Sequence, residues 1–275
     1  MMSKFISYLT VFLLMAFFSQ LAYSQEDREV MVPLPSINDF TDGDGWGFGL
    51  GLGVEYETAY EGSDEFEFEP DLAGGIQWRS GNNMFFFAGE ALGWRGIRND
   101  TWLLQATLAF EEGREESDSD DGRLAGLGDT DESTEVVFEV RKSLTSDWRY
   151  WLDGRILAGD EGNFLLLGGG YRFGNQMDGS GSEIGIGVTF HDDDYANRDF
   201  GITAEQSAAS GLAETNLDGG YRSIGINYIY RHYVTKNWQF FGEAVYEHYG
   251  SDIKKSPIVR SDYEAEVGIG FIYIF

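Results

Sequence analysis

The sequence predicts an all-β protein: an antiparallel transmembrane β-barrel of the Gram-negative outer membrane, preceded by a cleaved signal peptide. Three observations predict this class. Apolar and polar residues alternate over long segments, 16% of the residues are aromatic although the net charge is −28, and a short apolar segment stands near the N-terminus. Because neighbouring strand residues point to opposite faces of a sheet, sustained alternation indicates strands with one apolar face.

The N-terminal segment has the order of a secretory signal peptide. Lys4 is the only charged residue among the first 24, and an almost uninterrupted apolar run follows over residues 5–18. Ala22 and Ser24 supply the small residues that signal peptidase requires before its cleavage site. The run is too short for a membrane-spanning helix, which needs about 20 apolar residues. We therefore expect residues 1–24 to be removed after export.

The remaining chain is predicted to form a periplasmic tail over residues 25–45 and a barrel over residues 46–275. The clearest strand is 46–57, where Trp46 and Tyr56 begin and end an apolar face whose opposite face holds glycine and glutamate. Ten steps of extended chain span about 33 Å. At a tilt of about 40° they cover about 25 Å, the height of the apolar band of an outer-membrane barrel.

Eleven alternating segments can be distinguished, yet a barrel with both ends in the periplasm needs an even number of strands. We therefore expect about 12 strands, with 10 as the alternative. Aromatic residues stand near the ends of the segments, where interfacial girdles lie: Trp46, Tyr56, Trp78, Trp102, Phe110, Trp148 and Trp238. The segments are 46–57, 65–79, 83–94, 101–111, 133–143, 147–158, 162–174, 181–191, 220–234, 238–249 and the final run to 275.

The final strand is the most specific single signal. Its apolar face runs from Val267 to Phe275 at every second residue, with Gly268 and Gly270 on the other face. A terminal aromatic residue that closes an alternating strand is typical of the signal read by the outer-membrane barrel assembly machinery. We expect that machinery to bind Phe275. Counting back from a periplasmic Phe275 places the long loops 112–132, 191–219 and 250–261 outside the cell.

Composition excludes several function classes. The chain has no cysteine, which excludes disulfide scaffolds, zinc ribbons and thiol enzymes. The acidic balance excludes a nucleic-acid partner, because such proteins need basic patches. His191 is followed by three aspartates at a strand end, but this grouping alone does not specify a hydrolase. We predict no enzymatic activity, and no catalytic, cofactor-binding or metal-ligating residues.

Two features leave alternatives open. The acidic stretch 111–121 is most simply a solvated outer loop, with a divalent cation site that bridges to lipopolysaccharide as the alternative. An EF-hand loop is excluded, because Arg123 stands at its sixth position and Asp129 at its twelfth. The glycines that face inward, among them Gly49 and Gly185, either leave room in the lumen or let the strands coil tightly.

Several loop motifs resemble the MipA/OmpV family of outer-membrane barrels. They are Tyr60-Glu61-Gly62-Ser63-Asp64 after the first strand, Phe200 to Leu212 with its Ser-Ala-Ala-Ser-Gly-Leu end, Gly126 to Asp129, Ser256-Pro257-Ile258-Val259, and the closing Gly268 to Phe275. Lys255 stands where the family usually has an acidic residue. The resemblance covers nearly all of residues 46–275.

The resemblance implies a non-enzymatic scaffold that links peptidoglycan synthesis and cleavage to the outer membrane. Its implied partners are a lytic transglycosylase and a bifunctional peptidoglycan synthase, besides outer-membrane lipid and lipopolysaccharide. The alternatives are a surface adhesin and a small cation-preferring channel. The channel is favoured by the inward-facing charges, in which Glu55, Glu57, Glu67, Glu69, Glu135 and Glu139 outnumber Arg79 and Arg141.

Overall fold

The computed structural model describes residues 40, 43–72, 74–88, 91–96, 101–111, 113–173 and 180–275. The predicted signal peptide lies outside the described residues. The strands are β1 (Gly45–Thr58), β2 (Phe66–Asp71), β3 (Gly74–Ser80), β4 (Asn83–Ala88), β5 (Ala91–Gly96), β6 (Trp102–Glu111), β7 (Ser133–Ser143), β8 (Tyr150–Gly159), β9 (Gly162–Phe173), β10 (Gly181–His191), β11 (Gly220–Tyr233), β12 (Trp238–Tyr249) and β13 (Tyr263–Ile274). Two helices, α1 (Asp193–Phe200) and α2 (Ala204–Ser210), separate β10 from β11.

The strands close into an antiparallel barrel. From β3 onward each strand pairs with the next, and β1 closes the ring by pairing with β13 from Gly49↔Ile274 to Glu57↔Glu266. β2 pairs with the C-terminal half of β1 and β3 with its N-terminal half, so the two segments form one interrupted strand. The barrel therefore has twelve strands, which confirms the prediction of about 12. We call the end of the barrel at Gly45 and Ile274 the periplasmic end and the opposite end the outer end, following the orientation that the sequence predicts.

The strand missing from the sequence count lies within 83–94. That segment contains two antiparallel strands, β4 and β5, whose outermost pair is Ala88↔Ala91. The exposed apolar residues change parity between them, from Phe85 and Phe87 to Leu92. This change of parity is the feature of the sequence that indicates a second strand.

Aromatic residues form the predicted girdles on the outer surface. At the periplasmic end Trp46 pairs with Trp78, whose ring centroid lies 5.9 Å from that of Phe85. At the other end the ring of Tyr56 lies 4.6 Å from that of Phe68, which is 75% exposed. Large exposed apolar side chains between two such girdles form the surface that a lipid bilayer covers.

The inward glycines make room for particular large side chains. Trp151 is 1% exposed and lies in the lumen against Gly170, where an added Cβ would come within 2.3 Å of its ring. Phe40 lies similarly against Gly49, with 2.7 Å between its ring and an added Cβ. The sequence leaves open whether the inward glycines make room in the lumen or let the strands coil tightly. These two glycines support the first alternative, since they accommodate bulky neighbours.

Phe40 shows where the predicted tail meets the barrel. Its backbone N–H donates to Oε1 of Gln77 at 2.8 Å, and its ring packs with Ile272 and Ile274. All three partners lie near the periplasmic ends of their strands. The described part of the tail thus enters the barrel at its periplasmic end.

We predict that Gly170→Ala destabilises the barrel by about 1–3 kcal/mol, because the new methyl group overpacks against Trp151 and the backbone oxygen of Ile184. Unfolding by guanidinium in detergent, followed by tryptophan fluorescence, measures the change. The matched control is Gly154→Ala, since the nearest atom to its Cβ would be 3.7 Å away. Equal unfolding midpoints for the two variants would contradict this packing.

Candidate functional site

Four loops meet over the outer mouth of the barrel and form what we call the outer cap: residues 59–65, 113–132, 192–219 and 250–262. Apolar side chains of these loops, joined by Tyr249 at the end of β12, pack together and are buried. One cluster comprises Ala59, Tyr60, Leu124, Leu127, Ile202 and Ile258, and a second comprises Ala196, Phe200, Leu217, Tyr249 and Ile253. The mouth is covered by a packed layer that has its own apolar core.

Local hydrogen bonds determine the shape of the longest loop. Oδ1 of Asp192 accepts the backbone N–H of Tyr195 at 3.0 Å and caps the N-terminus of α1. Burial raises the pKa of Asp192, but hydrogen bonds from Tyr195 and Asn163 outweigh this effect and hold the pKa below its ordinary value. Thr203 and Gln206 form a capping box at the start of α2, which ends at Gly211 in the left-handed region (φ 77°).

This geometry gives the motif at His191 a structural explanation. Asp192, the aspartate next to His191, serves as a helix cap. His191 is the last residue of β10 and is 7% exposed beneath the cap. The loop that the sequence places outside the cell lies across the mouth.

The acidic loop is an ordered part of the cap. Oε1 of Glu116 accepts the backbone N–H groups of Gly126 and Gly128 at 2.9 and 2.7 Å. Hydrogen bonds from the Ser119 hydroxyl and the Arg123 backbone N–H lower the pKa of Asp121. These carboxylates thus organise the loop's own backbone, which turns Leu124 and Leu127 into the apolar cluster.

A β-bulge places one arginine beneath this cap. The register of β10 and β11 shifts between Thr189↔Ser223 and Phe190↔Tyr221, so Arg222 has no counterpart on β10. Bulges redirect the side chain of the extra residue. Arg222 consequently points into the mouth and is completely buried.

The guanidinium group of Arg222 joins three parts of the molecule. It pairs with Glu61 of the first loop, with Asp199 of α1 (Nη1 to Oδ2, 3.3 Å) and with Glu247 of β12 (Nε to Oε1, 3.7 Å). Its carbon Cζ lies 5.2 Å from the ring centroid of Phe200. A buried charge is tolerated only when it is paired, so these contacts tie two cap loops to the barrel wall.

A second ionic network fills the lumen along β7 to β10. Arg141 donates to Asp153 at 2.8 Å, lies 3.6 Å from both Glu139 and Glu183, and stacks on Trp151 at 4.3 Å. All five side chains are at least nine-tenths buried. The structure thus places Glu139 and Arg141 in the lumen, as the alternation predicts. It also shows their partners Asp153, Glu183 and Trp151, which the alternation does not identify.

The opposite side of the lumen is an acidic wall, which we define as the inward carboxylates of β12, β13, β1 and β2: Glu243, Glu264, Glu266, Glu55, Glu57, Glu67, Glu69 and Asp71. Carboxylate oxygens of Glu55, Glu243 and Glu266 lie within 4.8 Å of one another, close enough to hold one metal ion. Sequence reasoning identified the members on β1 and two of those on β2. It missed Glu243, Glu264 and Glu266, whose inward position follows from the parity of β12 and β13.

We predict that Arg222→Gln loosens the outer cap, because removing one partner from a buried ionic network costs about 3–5 kcal/mol. Hydrogen–deuterium exchange should become faster in α1 and in the loop around Glu61, with β6 to β9 unchanged. The control is Arg149→Gln, which removes a half-exposed ion pair with Asp147 in a periplasmic turn. Unchanged exchange in α1 would show that Arg222 does not hold the cap.

In the described part of the chain, no helix has both the length and the apolar character needed to cross a membrane. Among solved structures, the KdgM porin is 13% identical with a TM-score of 0.40, and the NanC porin is 10% identical with a TM-score of 0.42. Each match covers 82% of this chain and 98% of the other chain. The likeness to these porins is one of fold.

No curated protein sequence matches this chain. The model of the family described as MltA-interacting protein MipA matches residues 50–275, which include the whole barrel except the first five residues of β1. This match agrees with the resemblance seen in the loop motifs. The chain belongs to the MipA family.

Proposed function

We propose that this protein is a non-enzymatic scaffold that links peptidoglycan-synthesising and peptidoglycan-cleaving enzymes to the outer membrane. The observation that carries the proposal is the closure of the barrel: the outer cap covers the mouth, and the Arg141 network fills one side of the lumen. A closed barrel acts through its surfaces. The family name, MltA-interacting protein, supports a protein partner.

The surface available to a periplasmic partner consists of short turns and the predicted tail. Residues 144–149 and 234–237 connect strands at the periplasmic end, and Leu144 and Val234 in these turns are 58% and 57% exposed. Phe40 brings the end of the tail to the same rim. Stable interfaces bury about 1,200–2,000 Å². Because these turns are only six and four residues long, the proposal assigns the tail a share of the contact and expects transient binding.

We further propose how the protein reaches its membrane. The chain is exported and cleaved after residue 24, the barrel assembly machinery recognises Phe275, and the finished barrel contacts lipopolysaccharide. The two aromatic girdles support a position in the outer membrane, because they bound an apolar band on the barrel surface.

A second candidate function is the passage of small cations. The observation that favours it is the acidic wall, in which carboxylate oxygens of Glu55, Glu243 and Glu266 approach within 4.8 Å. Rings of carboxylates favour cations over anions. Passage along this wall requires the outer cap to open, and the Arg222 contacts oppose that opening.

We predict that cross-linking in living cells, followed by purification of the barrel through a tag in an outer loop, recovers a lytic transglycosylase and a peptidoglycan synthase. Deletion of residues 25–38 should reduce their recovery at least several-fold while Phe40 keeps its place in the barrel. The control, Phe40→Ala with the tail intact, tests whether the packing of Phe40 matters separately.

Each outcome has a definite meaning. Recovery of both enzymes, lost on deletion of the tail, supports the scaffold and locates its contact. Recovery of lipopolysaccharide and assembly factors alone would contradict the scaffold and leave the cation path as the better account.

A further inference from the structure

An apolar layer lies at the periplasmic end of the lumen, below the acidic wall. We call it the periplasmic layer and define it as Phe40, Tyr233, Phe241, Ile272 and Ile274, which pack together. Four of these residues belong to β11, β12 and β13, whereas Phe40 comes from the segment before β1. Phe40 is therefore the member of the layer that can leave without breaking a strand.

Two glycines of β1 provide the slot that Phe40 occupies. A Cβ added at Gly49 would come within 2.7 Å of the Phe40 ring, and one added at Gly47 would come within 2.6 Å of the Phe40 carbonyl oxygen. For both glycines, the three nearest atoms to the added Cβ belong to Phe40. The slot therefore exists because these two positions lack side chains, and Phe40 is the residue that fills it.

The contacts that hold Phe40 differ from those that hold the rest of the layer. Its backbone N–H donates to Oε1 of Gln77 at 2.8 Å, which is its one hydrogen bond to the residues that the structure describes. Ile272 and Ile274, by contrast, lie in the β1–β13 ladder that closes the barrel. Release of Phe40 breaks one hydrogen bond and its apolar contacts, whereas release of the other members would open the barrel.

A polar group in the same part of the lumen lacks a donor while Phe40 is in place. Gln239 lies on β12 directly opposite Ile272 and is 2% exposed. Its Oε1 accepts no hydrogen bond from any residue that the structure describes. A buried acceptor without a donor is costly, and water in an empty slot would satisfy it together with Gln77. The closed arrangement therefore carries a cost that release of Phe40 relieves.

The acidic wall begins directly above the periplasmic layer. Glu243 is the next inward residue of β12 after Phe241, and its carboxylate lies within 4.8 Å of those of Glu55 and Glu266. On the other side of the lumen, the Arg141 network with Trp151 fills the periplasmic ends of β7 and β8. A path from the periplasm to these carboxylates therefore leads through the place of Phe40.

We propose that Phe40 is a releasable stopper, which separates the acidic wall from the periplasm and opens that half of the lumen when it leaves its slot. The predicted tail continues into Phe40, so tension on the tail acts on Phe40 before it reaches β1. This gate goes beyond the scaffold function and operates without a partner enzyme. It leaves the outer cap shut, so its opening gives access from the periplasm and no passage across the membrane.

Access to the acidic wall tests the gate, because the native chain has no cysteine. The variant Glu243→Cys places a thiol directly above the periplasmic layer, where 2-aminoethyl methanethiosulfonate, a small cationic reagent, can label it. With purified protein in dodecyl maltoside, labelling should become at least ten-fold faster when Phe40→Ala is added. Gly49→Ala should have the same effect, because its methyl group displaces the Phe40 ring while the tail stays intact.

Matched controls separate the gate from general loosening of the barrel. Leu144→Ala shortens an apolar side chain that is 58% exposed in a periplasmic turn, and Gly154→Ala adds a methyl group whose nearest neighbouring atom would lie 3.7 Å away. Both should leave the labelling rate of residue 243 unchanged. A thiol at the buried Ser223, introduced as Ser223→Cys beneath the outer cap, should stay unlabelled in every variant.

Three results would overturn the proposal. Fast labelling of residue 243 with Phe40 in place would show that the periplasmic layer is open. Equal rates in Phe40→Ala and Leu144→Ala would show that Phe40 does not control access. Labelling of residue 223 together with residue 243 would show that the reagent enters through a loosened barrel and not through the slot.

Release of Phe40 in the unaltered protein is measured by amide hydrogen exchange, resolved by residue. The Phe40 N–H, which is bonded to one side chain, should exchange at least a hundred-fold faster than the N–H groups of residues 51–57 in the β1–β13 ladder. Equal exchange rates would show that Phe40 leaves its slot only when the barrel unfolds, and a releasable stopper would then be wrong.

Discussion

The pairing of β1 with β13 is the constraint on which the rest of the structure depends. Without it the sheet has two long free edges, which lipid does not tolerate because it offers no hydrogen bonds to the backbone. Once the ring is closed, every residue is assigned to the lipid or to the lumen by its parity. Apolar side chains then cover the outside, and the charged ones, many of them acidic, are confined to a narrow interior.

The charged side chains in the lumen are accommodated in two ways. Along β7 to β10, Arg141 neutralises neighbouring carboxylates and stacks on Trp151, so this half of the lumen is filled. Along β12, β13, β1 and β2, carboxylates face one another and space remains among them. Arg222 stands above both regions, where it ties the outer cap to the wall. The scaffold function depends on the filled half, which closes the lumen, whereas cation passage depends on the acidic half, where space remains.

Most of the fold could be predicted from the sequence, because parity is a local property. The segment from Trp46 to Tyr56 shows its strand length and its lipid face without any tertiary information. The interruption of a strand is harder to predict, because β2 and β3 keep one continuous alternation although they form separate ladders with β1. The β4–β5 hairpin was hidden for the related reason that its strands are only six residues long.

The site was less accessible to sequence reasoning. Arg222 reaches the mouth only because a bulge breaks the parity rule, and no pattern around Tyr221 and Ser223 announces that bulge. The acidic loop likewise has the composition of a solvated segment, yet Glu116 binds its backbone and turns Leu124 inward. The contact between Arg222 and Glu61 joins residues 161 positions apart, a distance over which the sequence shows no pattern. The acidic wall could be predicted in part, because parity predicts that its carboxylates face the lumen but not how close they lie to one another.

The central claim is that the barrel is closed and acts through its surfaces. Conductance of the purified protein in a planar bilayer, measured in potassium chloride on both sides, tests that claim most directly. We expect no steady current steps from the native protein, since the outer cap and the Arg141 network block the lumen. Steady cation-selective steps at low voltage would contradict it and would make the acidic wall the lining of an open channel.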